Sequence, residues 1–535
     1  MSVEDLKKFM KTLSKEMQRY IKGHAVLANK ENILKTVAAS QVSIIFGNAG
    51  MGKTTQIAQY IYEEYKPDRM IVCTQPRKAE AVYVARRVAN DMGSSLGQLV
   101  GYRVRADWKL NSDTRILFIT DHELVNEWFA DELFSRYFCI ILDEVQERTI
   151  YTDLLLWSLK QNLSRRPDLK VIIISTDTDK LQYDYVGYFK NFNPTQLKLI
   201  DNIFPVGVIY KAVAVSENHV KHACLKALEF HREEEVVDGA KDILVFLATH
   251  SEIEEAIDEI KSKNINNLLP LGLHEHMRAE DIQDVFAPTM NGFRKVVFAT
   301  NVAQASLTVP EIICVIDSGK ERMRNLGTGN KNSYRFQKIS SYSAEERRKL
   351  AGRNDAGICY RLYSAKDLDS NPSDDMVEVL TDRLNGFILK LMSHGINKFE
   401  CLEFFKKPPT EPIEESFKSL TAIGAIDNNN QLTKLGKLLA EINLNPKHAE
   451  FILEGIKEHL GYESLVISVL SSFEKFQLMK LDKNTKCNMG LHISIFFDNF
   501  GDMITWLNIY QDFLYGQKFC RDSWCDYYLV NSKTI

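Results

Sequence analysis

Residues 42–56 read VSIIFGNAGMGKTTQ, and this stretch decides what the rest of the chain must build. A short apolar, mainly β-branched run fits a strand buried on both faces of a parallel sheet. It breaks into a loop that satisfies G-x-x-x-x-G-K-[ST] through Gly47, Gly52, Lys53 and Thr54. In such a loop the backbone of Gly47, Asn48, Ala49, Gly50, Met51, Gly52, Lys53, Thr54 and Thr55 converges on phosphate oxygens. Lys53 adds a point charge, the Thr54 hydroxyl can bind Mg2+, and the N-terminus of the following helix favours an anion. ATP with Mg2+ is the expected ligand.

Outward from the loop the same texture repeats. Apolar runs at 70–74, 116–120, 139–142 and 171–175 alternate with amphipathic stretches, and a second series follows at 243–247, 268–271, 295–300, 314–317 and 359–363. Strands separated by helices predict two tandem α/β domains with parallel sheets. After about residue 370 strand runs vanish, and helical periodicity extends to the end. Residues 417–442 carry a glycine after a helix, a turn-rich DNNN and a new helix, the outline of a winged-helix unit. At the other end Leu6, Phe9, Met10, Leu13, Met17 and Ile21 form one helical stripe, read as a helix docked on the first domain or, alternatively, as a free helix that binds a partner.

CIILDEVQERT (139–149) sets two carboxylates at the end of an apolar strand. Asp143 is placed to hold Mg2+ and Glu144 to orient or deprotonate the attacking water. Gln146 stands where a hydrogen-bonding residue can sense the second domain.

Composition narrows the setting. The 535 residues are 45% hydrophobic and 26% charged, with a net charge of −4, so nucleic-acid contact must come from a local groove. Nine scattered cysteines fit neither a disulfide framework nor a paired metal site, and a reducing interior is expected. The charged N-terminus shows no signal peptide, and the longest apolar runs are strand-length. An intracellular monomer of nucleus or cytoplasm is expected, without a membrane.

With these motifs in place the chain resembles the DEAH-box (DEAH/RHA) RNA helicases of superfamily 2, in a DEAQ-like variant. The likeness runs from Lys30 onward. TQPRKAEAVYVARRVANDMG (74–93) resembles motif Ia, ITDHEL (119–124) the next RNA-contact motif with His122 in place of glycine, and FATNVAQASLTVPEIICVIDSG (298–319) motif V. The resemblance implies that Gln75, Pro76, Arg77, Thr120, Thr300 and Asn301 contact single-stranded RNA through its backbone. Gln304 and Ala305 replace an acidic residue and a threonine of motif V. It also implies that Arg87 and Phe286 sandwich the nucleotide base, a stacking insensitive to base identity.

It implies a division into an N-terminal helix (1–23), a recA-like domain 1 (24–204), a recA-like domain 2 (205–368), a winged-helix domain (369–441) and a partial ratchet domain (442–535). Family members add an OB-fold that binds RNA and activator proteins, and this sequence stops before one, as a fragment, a splice form or a reduced protein would. RNA and a protein activator or complex partner are the expected partners.

ERRKLAGR (346–353) lies on motif VI, Q-R-x-G-R-x-G-R. Arg347 and Arg353 hold arginine positions, Leu350 takes the third, Glu346 replaces the glutamine and Lys349 a glycine. One arginine finger remains and one is gone. Lys349 or Arg348 can enter only with a local backbone change, and Leu350→Arg is expected to raise turnover. In motif III, STD (175–177) replaces Ser-Ala-Thr, so Asp177 puts a carboxylate where a hydroxyl couples hydrolysis to RNA grip. The expectation is an RNA-dependent ATPase that steps 3′ to 5′, with slow hydrolysis and with Lys53, Glu144 and Arg353 as its catalytic groups. The alternative is an ATP-binding RNA scaffold or decoy that does not turn over.

Overall fold

The computed structural model describes residues 25–48, 50–105, 107–176, 185–200, 204–212, 218–234, 242–274, 277, 279–287, 289–290, 292–304, 309, 311–324, 334–353, 355–369, 381–396, 402–403, 405, 410–442, 446–471, 493–516, 521–530 and 535. The expected N-terminal helix, Ala49, Asp177 and Ala305 lie outside them.

Two compact units divide the chain: Met1–Glu378 with Leu402–Pro408, and Val379–Cys401 with Pro409–Ile535. The first holds two sheets. The strands of sheet one are β1 (Val42–Phe46), β2 (Met70–Gln75), β3 (Val100–Val104), β4 (Asp107–Lys109), β5 (Ile116–Thr120), β6 (Tyr137–Leu142), β7 (Lys170–Ser175) and β8 (Thr195–Lys198). Their order is β4-β3-β5-β2-β6-β7-β1-β8, parallel throughout except for the β3/β4 hairpin. Sheet two contains β9 (Val206–Tyr210), β10 (Asp242–Phe246), β11 (Leu268–Leu273), β12 (Arg294–Ala299), β13 (Ile312–Asp317) and β16 (Gly357–Arg361), ordered β11-β12-β10-β13-β16-β9 and all parallel. A separate antiparallel pair joins β14 (Lys320–Arg324) to β15 (Tyr334–Lys338).

Both faces of both sheets are apolar, which is why the central strands are nearly continuous hydrophobic runs. In β10, Ile243 and Val245 enter one core, while Leu244 and Phe246 enter the other. The helices that matter below are α1 (Lys53–Tyr65), α2 (Lys78–Asp91), α3 (Asp121–Ala130), α4 (Ile150–Asn162), α5 (Ala279–Phe286) and α6 (Ser341–Lys349). Parallel strands set their carboxyl ends on one edge. The phosphate loop, Gln75, Thr120, Asp143 and Ser175 therefore gather at one rim of sheet one, where open α/β sheets bind ligands.

In the second unit α7 (Thr381–Ser393), α8 (Thr410–Ala422) and α9 (Lys434–Glu441) pack around a bridge between Ile426 and Leu432. The DNNN segment closes a turn in which Asp427 accepts from the backbone of Asn429 at 2.9 Å and Gln431 at 2.8 Å. A single bridge, Ile426 to Leu432, flanks this turn. The later helices share a core of Val466, Leu470, Phe496, Trp506, Ile509 and Val530.

Candidate functional site

The phosphate loop turns because Gly50 (φ 81°) and Gly52 (φ 87°) take left-handed angles that a side chain would strain. Lys53, buried on α1, donates to Gly47 O at 2.5 Å and Asn48 O at 2.7 Å. Its ammonium therefore stays inside the loop it would share with a phosphate. Burial lowers its pKa, against the pull of Glu144, Asp143 and Glu346. Met51 is the loop residue that faces inward, into the core beneath the loop.

Asp143 follows β6 and is buried. One oxygen accepts from Gln75 Nε2 at 2.9 Å, the other from the Glu144 backbone at 2.9 Å, and the Thr54 hydroxyl is within hydrogen-bond reach. A buried carboxylate beside a hydroxyl fits Mg2+, which keeps several waters and takes one or two protein ligands plus phosphate oxygens. No cluster of three or more acidic or thiol/imidazole ligands exists among the described residues, so this pair and the nucleotide would supply the coordination. Gln75 needs correction as an RNA contact: it is fully buried and committed to Asp143.

Glu144 sits at φ 53°, a left-handed angle that costs a non-glycine residue about 1 kcal/mol or more. Burial, then the neighbouring Asp143 charge, pushes its carboxyl up to about 8. Gln146 donates to this carboxylate, while its own Oε1 accepts from Ser175 Oγ (3.3 Å) and Thr176 N (3.2 Å). The Thr176 hydroxyl then meets the Tyr342 hydroxyl of α6 at 2.6 Å. Gln146 thus reaches the second domain one step removed, through Thr176. Sequence reading missed Tyr342; its signal was a tyrosine one turn before the arginine-rich segment.

From the second domain, Arg353 packs against the phosphate loop so closely that a Cβ on Gly50 would lie 2.5 Å from its Cζ. Arg347 is instead structural. It is fully buried, bound to Asp317 at 2.7 Å and stacked 4.5 Å over the Phe246 ring. Arg348 pairs with Glu345 at 2.6 Å. Leu350 is 3% exposed, in the core formed with Leu244, Phe246, Val315 and Cys359. This corrects the expectation for Leu350→Arg. The substitution buries an unpaired guanidinium, at a cost of roughly 3–5 kcal/mol, so it should lower the melting temperature without raising turnover. A thermal melt run beside an ATPase assay checks both.

The residues expected to hold the base lie on facing helices. Phe286 of α5 packs on Tyr83 of α2, with ring centres 4.5 Å apart and planes at 37°. Arg87, one turn beyond Tyr83, is more than half exposed and touches Asp91 at 3.4 Å. Tyr83 was missed by sequence reading, although its i, i+4 spacing from Arg87 was the signal.

Among the expected RNA contacts, Arg77 spans Glu80 (2.8 Å) and Glu147 (2.9 Å), and Pro76 is half-buried beside it. Thr120 precedes α3 and is 8% exposed. Asn301 is exposed after β12, and the buried Thr300 hydroxyl has no hydrogen-bond partner among the described residues. That buried hydroxyl keeps an unused hydrogen-bonding capacity. Gln304 ties this segment to α6, donating to Ser343 Oγ at 2.9 Å and accepting from Arg347 at 3.3 Å.

A phosphate loop, an Asp-Glu pair and an arginine supplied by a second parallel-sheet domain define the parts of a two-domain P-loop nucleotide-binding protein. Comparison with known proteins narrows the class. A model of the helicase conserved C-terminal domain matches residues 224–342, and one of the helicase associated winged-helix domain (HA2) matches 416–442. The pre-mRNA-splicing factor ATP-dependent RNA helicase prp22 of Schizosaccharomyces pombe is 32% identical over 534 residues, 98% of this chain and 44% of that protein. A putative pre-mRNA-splicing factor ATP-dependent RNA helicase of the same organism is 32% identical over 518 residues, 95% of this chain and 78% of its own. The crystal structure of Escherichia coli DEAH/RHA helicase HrpB shares the fold, with a TM-score of 0.78, 23% identity, and coverage of 91% of this chain and 60% of that one. The chain belongs to the DEAH-box family of superfamily 2 helicases. It spans under half the length of prp22 and three-fifths of HrpB.

Proposed function

We propose that this protein is an RNA-dependent ATPase of the DEAH helicase type, working in nucleus or cytoplasm with a protein activator or complex partner. One observation carries the reading: Lys53, Asp143 and Glu144 of the first domain and Arg353 of the second converge on the phosphate loop.

In this mechanism ATP binds along the loop, with Thr54 and Asp143 as the residues that would hold Mg2+. The ion, when bound, supplies Lewis-acid neutralisation of phosphate charge. Glu144 orients a water whose oxygen attacks the γ-phosphorus and takes its proton. The bond to the bridging oxygen breaks, ADP leaves with the electron pair, and Arg353 neutralises charge as it spreads over the transferring group. Arg87 and Phe286 hold the base, with Tyr83 beside them. Pro76, Arg77, Thr120, Thr300 and Asn301 grip the RNA backbone, and Gln75 positions Asp143 from behind. The relay from Glu144 through Gln146 and Thr176 to Tyr342 supports coupling of hydrolysis to domain movement, stepping RNA 3′ to 5′. With leucine at position 350, Arg353 is the single arginine finger, and turnover slower than that of a two-finger enzyme is expected.

The test is steady-state ATPase activity with and without single-stranded RNA, against Lys53→Ala. RNA-stimulated turnover lost in the variant supports the reading; turnover no greater than in Lys53→Ala at saturating RNA sinks it. The burial of Leu350 favours a second reading, an ATP-binding RNA scaffold, which predicts tight nucleotide binding without turnover.

A further inference from the structure

α6 carries a charged pair whose placement neither the fold nor the ordinary family pattern requires. Lys349, its last residue, has its Nζ 2.7 Å from Glu346 and 3.5 Å from Asn48 Oδ1, the side chain of a phosphate-loop residue in the other domain. Glu346 is 5% exposed and so is held at the domain junction without much water. It also lies near enough to Lys53 to favour that residue's charged form. One buried carboxylate is thus shared by cations from both domains, beside the loop built to receive phosphate. Leu350 follows immediately and turns inward to the core, so Lys349 is the neighbouring side chain left facing the loop.

We infer that Lys349 is a second γ-phosphate contact from the second domain, held in readiness by Glu346 and released to the nucleotide when ATP enters. This rests on the ATPase reading above. The exchange is electrostatic: a trivalent or tetravalent polyphosphate offers Lys349 more charge than one carboxylate, while ADP, lacking the γ-group, offers none at that end. Lys349 undergoes no bond change. The γ-phosphorus gains the water oxygen and loses the bridging oxygen as before, and the ammonium neutralises part of the charge on the equatorial oxygens. α6 ends at Lys349 and passes directly into the 3-10 turn Leu350–Gly352, so the lysine stands at the junction of the two helical segments.

The decisive experiment compares equilibrium binding of fluorescent ATPγS and ADP, then single-turnover hydrolysis, in wild type, Lys349→Ala, Lys349→Arg and Glu346→Gln. A charged hydrogen bond of ordinary strength corresponds to about a 10- to 100-fold effect. Lys349→Ala should weaken ATPγS by that order while leaving ADP nearly unchanged, and lower kcat similarly. Lys349→Arg should recover most of both. Glu346→Gln should tighten ATPγS, because its competitor for the lysine is gone. Equal weakening of both nucleotides, or no change in either, overturns the proposal, and so does a failure of wild type to bind either one. If wild type binds ATPγS but never turns over, the ATPase reading fails, and the ATPγS-to-ADP ratio still decides the role of Lys349. Unchanged melting temperatures separate these outcomes from simple loss of fold.

Discussion

Arg353→Ala is expected to cut single-turnover ATP hydrolysis by about 10³–10⁵-fold, equivalent to roughly 4–7 kcal/mol of transition-state stabilisation. The Arg353 guanidinium lies against Gly50 at the crest of the phosphate loop, where a side chain on that glycine would collide with it. It comes from the second domain, so its contribution exists only when the domains are closed. Arg347 offers no reserve, because Asp317 and Phe246 hold it inside the second domain. Lys349 offers only a point charge, without the planar fork that meets two oxygens at once. Arg353→Lys should therefore recover only a small part of the rate. ADP affinity should move little in either variant, since the finger acts on the γ-group. A loss below 10-fold would show that charge on the transferring phosphoryl is neutralised elsewhere.

Much of this architecture could be read from residues alone, and what escaped has physical reasons. Nine strands announced themselves because burial on both faces leaves a nearly unbroken apolar run, and β11, a half-buried edge strand, was legible from its leucines. β3, β4, β8 and β9 did not. Trp108 of β4 is 64% exposed, and β8 and β9 alternate half-buried with exposed residues, as strands near an edge do. Such strands carry mixed composition and look like loops. In the site, spacing identified the phosphate loop and the Asp-Glu pair, because their chemistry is local in sequence. Gln75 shows the limit of that reading. Its place in the motif suggested a surface role, but the parallel register of β2 and β6 turns it onto Asp143. Leu350 shows the same limit from the other side. Alignment marks which residue replaces an arginine, but only the path of α6 and its 3-10 turn determines that the replacement faces a core.

Glu144→Gln should lower turnover by about 10²–10⁴-fold, the usual contribution of a positioned general base, while leaving ATP binding intact. The amide keeps the shape of the side chain and an oxygen to accept from Gln146, so the relay to Thr176 and Tyr342 survives. What disappears is the capacity to receive the proton of the attacking water. Asp143 and Thr54 are untouched, so the expected metal site and the loop's hold on phosphate remain. The variant should then accumulate with ATP bound, and the domains should remain closed on RNA. Filter binding with radiolabelled ATP, together with RNA affinity measured in ATP and in ADP, distinguishes this from simple inactivation. Slow hydrolysis with ATP retained and RNA held more tightly in ATP than in ADP places Glu144 at the chemical step. Loss of ATP binding would instead mean that its carboxylate serves mainly to balance Lys53 and keep the loop in shape.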